Sequence, residues 1–233
     1  MVAAEPVDAV MALPALPKRS STAEQAAETL RRQIADGKLP PGTKLREEAV
    51  SAALSISRNT VREAFRLLAH ERLVEHALHR GVYVRTVAAD DVRDIYMTRR
   101  LLQPLGIEAA LHDGAVRDAL DVRVATATAA AEREDWDAVG TADIDFHRVL
   151  VAACGSTHIT AMFEHVLAEL RLAFLLMPDH RNLHQPYIEG NRRIAALLGA
   201  GDRAGALAEL RSYLDDAERH VLGAIVEAPS EAG

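Results

Sequence analysis

Arg58 and Arg62 stand four residues apart in the run Ser57-Arg58-Asn59-Thr60-Val61-Arg62, so a helix carries both on one face. An arginine there can grip guanine O6 and N7 bidentately, while Asn59 and Thr60 can bond bases or phosphates. The chemistry on offer is recognition of a nucleic-acid groove. Arg46 lies upstream at the start of another helix, within reach of the same groove edge. His79, Arg80 and Gly81 sit at a loop tip where backbone can approach a phosphate or a minor groove. A second constellation is Asp143 and His147, also four apart. That spacing suits two ligands of one divalent ion or an Asp–His pair on a helix surface, and leaves both open. His180 and His184 repeat it, but Pro178 and Asn182 place them in a loop as surface histidines. No Gly-rich phosphate loop, nucleophile elbow or HExxH helix occurs, so the enzymatic alternative is a metal-assisted hydrolase using Asp143 and His147.

Periodicity predicts the elements that position these groups. Ala23, Ala26, Ala27, Leu30 and Ile34 recur at helical spacing within residues 22–36, and Gly37 follows where a left-handed residue ends a helix. Leu39-Pro40-Pro41-Gly42 turns the chain, and a short helix is expected from about Arg46 to Ala53. Ser57 is a good N-cap for the next helix, with Ile56 and Val61 placed for a hydrophobic staple. Val61, Phe65 and Leu68 form its inward stripe, which leaves Arg58, Asn59 and Arg62 at the exposed start. Residues 73–76 and 82–85 are strand candidates around a Gly-containing loop. Helix, helix, turn, helix, hairpin is the order of a winged helix-turn-helix. From residue 88 the pattern is helical, with helices expected near 90–112, 115–133, 135–153, 157–177, 185–199 and 202–226, the first kinked at Pro104. The expected fold is mostly α. A disordered extension (1–20) precedes a winged helix-turn-helix with a small β-hairpin (21–87), an all-α bundle (88–227) and a tail (228–233).

Composition agrees with that division. The chain has 233 residues, 49% hydrophobic but only 4% aromatic, so the core must be built from aliphatic side chains that favour helices. One cysteine, Cys154, excludes a disulfide framework and any Cys-based metal cluster. The net charge of −7 is unevenly spread: residues 18–87 hold 13 Lys and Arg against 8 Asp and Glu, and residues 88–233 hold 14 against 24. A basic segment joined to an acidic one suggests a polyanion-binding module attached to something else. No apolar run approaches the ~18 residues of a membrane span, and residues 1–17 lack the basic start of a signal peptide. A cytoplasmic protein is expected.

Residues 34–47 (Ile34-Ala35-Asp36-Gly37-Lys38-Leu39-Pro40-Pro41-Gly42-Thr43-Lys44-Leu45-Arg46-Glu47), followed by Ser57-Arg58-Asn59-Thr60-Val61-Arg62-Glu63-Ala64, resemble the GntR superfamily of bacterial transcription regulators. Arg99, the segment Asp143-Ile144-Asp145-Phe146-His147 and the Gly201-Asp202 break resemble the FCD-type ligand-binding domain of its FadR-like branch. The resemblance covers about residues 21–226. It implies a homodimer that reads a pseudo-palindromic operator in double-stranded DNA and answers to a small organic acid, with no membrane partner. It also implies that Arg99 points inward, where it suits bidentate capture of a carboxylate. In the family an Asp-x-x-x-His pair is completed by two histidines. Here the matching positions are Asn191 and Tyr213. Asn ligates weakly and neutral Tyr poorly, so a divalent metal, zinc or nickel, is left only a degenerate site at Asp143 and His147. The four side chains would still converge as an effector pocket. No catalytic residue is implied, and a non-specific DNA-binding protein is the remaining alternative.

Overall fold

The computed structural model describes residues 21–78 and 80–227; the expected extension at 1–20, the loop residue His79 and the tail at 228–233 lie outside the described residues. Ser21 opens the first helix, α1 (Thr22–Ala35), through a capping box: its hydroxyl accepts from the Glu24 N–H (3.1 Å) and the Glu24 carboxylate accepts from its own (2.6 Å). β1 (Lys44–Leu45), α2 (Glu47–Leu54), α3 (Arg58–His70), β2 (Val74–Ala77) and β3 (Gly81–Val84) follow. Ser55, left-handed at φ 54°, closes α2, and the Ser51 hydroxyl donates to the Ile56 carbonyl (2.6 Å), which fixes the tight turn. Ser57 caps α3 by accepting from the Thr60 N–H (3.1 Å). The stripe Val61, Phe65 and Leu68 is fully buried, in one core with Leu30 and Ile34 of α1.

The winged helix-turn-helix is therefore present, and its hairpin gains a third strand. The antiparallel sheet has the order β1-β3-β2, with Lys44 and Leu45 paired to Tyr83 and Val82. A two-residue strand has no alternation to reveal it; pairing with β3 creates it.

The remaining described chain is helical: α4 (Ala89–Leu111), α5 (Gly114–Glu132), α6 (Trp136–Ala152), α7 (Thr157–Leu175), α8 (His180–Gly199) and α9 (Arg203–Glu227). Asp113, Asp135, Ser156 and Asp179 cap α5 to α8 in turn. α4 runs through Pro104 as one helix. The start of α8 corrects the loop expected at the histidines. Pro178 precedes the N-cap Asp179, whose carboxylate accepts from the Asn182 N–H (2.9 Å), so His180 and His184 lie on the helix and His184 is buried.

Paired charge joins the two parts. Glu169 of α7, 4% exposed, receives Arg72 (3.3 Å) and Arg85, and Arg85 also bonds Asp91 at the start of α4. A buried carboxylate must be matched, so Glu169 ties the winged unit to the bundle. Among the described residues no helix is long and apolar enough to cross a membrane.

Candidate functional site

The first candidate surface is the start of α3. Ser57, Arg58, Asn59 and Arg62 are exposed there and Thr60 is half-buried, its hydroxyl 2.8 Å from that of Ser57. Both arginines are held by α2: Arg58 pairs with Glu48 (2.8 Å), and Arg62 Nε donates to both oxygens of Glu47 (3.0 and 2.9 Å). Exposed ion pairs contribute little to stability, so a phosphate or base edge can replace these carboxylates. Arg46, at the N-cap of α2, is exposed and makes no side-chain cap bond. At the wing, Arg80 is exposed beside Gly81, whose φ of 107° suits a residue without a Cβ. The Arg80 N–H donates to the Ala77 carbonyl (3.0 Å), and the Tyr83 hydroxyl donates to the Arg80 carbonyl (3.2 Å). Lys44, not singled out by sequence, brings another cation to the wing, 5.5 Å from the Tyr83 ring centre.

The second is a polar cluster inside the bundle, where Arg99, Asp143, His147, Asn191 and Tyr213 are all buried. Asp143 Oδ1 is the hub. It accepts from Asn191 Nδ2 (2.7 Å) and the Tyr213 hydroxyl (2.6 Å), with His147 Nε2 at 3.9 Å. Gly190 makes this possible: a Cβ there would lie 2.7 Å from the Tyr213 ring, so only glycine lets the ring lie against α8. Burial pushes the Asp143 carboxyl up; the Tyr213 hydroxyl, Arg99 charge and Asn191 amide partly offset this. Burial, aided by Arg99, holds His147 well below its ordinary value, so the ring is neutral. Burial raises the Tyr213 phenol well above its usual range.

Arg99, 1% exposed, lies with its guanidinium 4.9 Å from the Tyr96 ring centre. Its Nε and Nη2 have no hydrogen-bond partner among the described residues. The same holds for both amide atoms of Gln103, both ring nitrogens of His147 and Asn191 Oδ1. Gln103 follows Arg99 by one helical turn, a spacing that could have marked it. His184 is the other addition. Its ring packs edge-on to Phe174 (5.0 Å) in the space left by Gly140, where a Cβ would lie 2.5 Å from its Nε2.

The donor set does not fit a tightly held zinc or nickel ion. Asn191 and Tyr213 turn an N–H and an O–H toward the carboxylate, where a cation would need lone pairs. Among the described residues no group of three or more His, Cys, Asp and Glu side chains is gathered for a metal.

A capped helix presenting arginines, a sheet-built wing and a helical bundle with a buried polar centre define a two-part, DNA-binding transcriptional regulator. The chain belongs to the gntR family of bacterial regulatory proteins, whose model matches residues 22–84, and an FCD domain model matches residues 94–216. The crystal structure of a putative transcriptional regulator GntR from Rhodococcus sp. RHA1 is 39% identical, covers 88% of this chain and 99% of its own, and superimposes with a TM-score of 0.83. The gluconate operon transcriptional repressor of Bacillus subtilis (strain 168) is 26% identical over 87% of this chain and 86% of its own. A probable D-xylose utilization operon transcriptional repressor of Paenarthrobacter nicotinovorans is 29% identical over 79% and 81%.

Proposed function

We propose that the chain is an effector-responsive regulator: a homodimer that reads a pseudo-palindromic operator and is modulated by a small organic acid bound inside the bundle. The observation that carries this is Arg99, a buried guanidinium whose Nε and Nη2 lack partners beside four converging polar side chains. Buried guanidinium N–H groups without an acceptor are costly; a ligand carboxylate supplies that acceptor, and Gln103, His147 and the second Asn191 N–H offer bonds to its other oxygens. Residues 88–227 would hold the effector and the dimer contact. Met97, Leu101 and Leu105 support the latter: they form an exposed apolar stripe along α4, 59%, 65% and 43% accessible. Residues 21–87 would read DNA through Arg46, Ser57, Arg58, Asn59, Thr60, Arg62, Arg80 and Gly81; His79, the other candidate, lies outside the described residues.

The cavity beside Arg99 and Asp143 measures only ≈ 10 Å³, room for about one water. A carboxylate must therefore displace the side chain of Tyr187 or Tyr213, which line it, and through these side chains binding would bear on α8 and α9 and select a bundle shape. Thermal unfolding against a panel of organic acids tests the reading, with gluconate included because of the relative's name. The bound acid should stabilise the wild type by ~2.7 kcal/mol at a hundredfold excess over Kd, and Arg99→Ala should abolish the response. An unchanged response in that variant removes the carboxylate from Arg99.

A further inference from the structure

A cleft of ≈ 620 Å³ lies between α1 of the winged unit and helices α6 and α7 of the bundle, and shares no lining residue with the Arg99 cavity. Its volume falls among small-molecule sites, about 300–1,000 Å³. Its open apolar surface comes from Ala35, Ala161 and Ala168, with Ile34, Ile144, Leu167 and Leu172 buried behind them. Three arginines reach its rim, and two are engaged: Arg31 with Glu71 (2.7 Å) and Glu28, Arg148 with Glu164 (2.8 Å) and Asp145. Asp36, the remaining rim carboxylate, pairs with Lys38 at 3.2 Å.

Arg171 differs. Among the described residues no carboxylate comes within the 4.0 Å of an ion pair; its Nε donates to the Ala35 carbonyl at the end of α1 (3.0 Å). Burial holds its pKa below the ordinary arginine value. We infer that this cleft is a second ligand site, taking an amphipathic carboxylate whose apolar chain lies on Ala35, Ala161 and Ala168 and whose head group pairs with Arg171. Because Arg171 also closes the C-terminal end of α1, the ligand bears on both parts of the molecule at once. The inference is independent of the Arg99 pocket.

Calorimetric titration of the full chain with decanoate tests it, with decylamine as the probe of equal chain length and opposite charge. Decanoate should bind more tightly than decylamine. Arg171→Gln should weaken decanoate on the order of tenfold or more, as expected on removing a charged partner, and Arg99→Ala should leave it unchanged. Ala161→Trp, at an exposed position in the lining, should block the cleft, and it serves as the deciding variant if Arg171→Gln fails to fold. Equal affinity for decylamine, undiminished binding in the cleft variant, or loss in Arg99→Ala overturns the inference. Failure of the organic-acid response at Arg99 leaves these outcomes untouched.

Discussion

Buried histidines couple this protein's stability to pH. Burial drives His184 down to about 3, against 6.5 for the free side chain. The unfolded chain takes up that proton near 6.5 and the folded chain does not until about 3, so acid favours unfolding across this window. The contribution is complete above 6.5 and falls as pH drops; His147 acts in the same sense, and Asp143, raised by burial, in the opposite one. His184→Phe should therefore lose roughly 2 kcal/mol less stability than wild type between pH 6.5 and pH 5, read by urea denaturation at the two values. Equal losses would mean that His184 is not buried neutral. At the residues proposed to face DNA, Arg58→Ala should cost ~1–3 kcal/mol of discrimination for the specific site. Arg80→Ala should weaken all sequences alike and lower the salt slope by about one. Binding assays on specific and unrelated duplexes separate the two, and equal loss of both in Arg58→Ala would remove its base-reading role.

Three glycines set the helix spacing around the polar centre. Each lies inside a helix, where glycine is ~1 kcal/mol worse than alanine, and each is excused by a close neighbour. Gly140 admits the His184 ring, Gly190 admits the Tyr213 ring, and Gly106 lets α4 approach α6 until a Cβ would sit 2.1 Å from the Leu150 carbonyl oxygen. Gly106→Ala should destabilise by ~1–3 kcal/mol through overpacking. Gly199→Ala, with nothing within 4 Å, should be neutral or stabilise by ~0.4–1 kcal/mol. Denaturation midpoints check the pair, and similar shifts would mean that the α4–α6 crossing can relax. These contacts explain what sequence could and could not reveal. The cap at Ser57, the stripe Val61-Phe65-Leu68 and the left-handed Gly37 (φ 71°) are local, and local pattern finds them. β1 exists only through β3, and the burial of His184 depends on a glycine 44 positions earlier. Gln103 carries only one signal, its place one helical turn after Arg99, and an amide there reveals burial only once its neighbours are placed.

At the scale of the molecule, a basic winged unit is fastened to an acidic bundle through Glu169, Arg72 and Arg85, and through Arg171 at the end of α1. Under the proposed function, these charged contacts are the route by which a shift of the bundle helices would reach the reading head. In the proposed function the Arg99 pocket is coupled to DNA affinity, and thermodynamic linkage makes that coupling measurable from the DNA side. The direct measurement is fluorescence anisotropy of a labelled operator fragment, selected by the protein from its own genome and titrated with and without the stabilising organic acid. The acid should change operator affinity by about 5–150-fold in the wild type and leave it unchanged in Arg99→Ala, with unrelated DNA unaffected. An operator affinity indifferent to every acid that stabilises the protein, or a response that survives Arg99→Ala, would contradict the account.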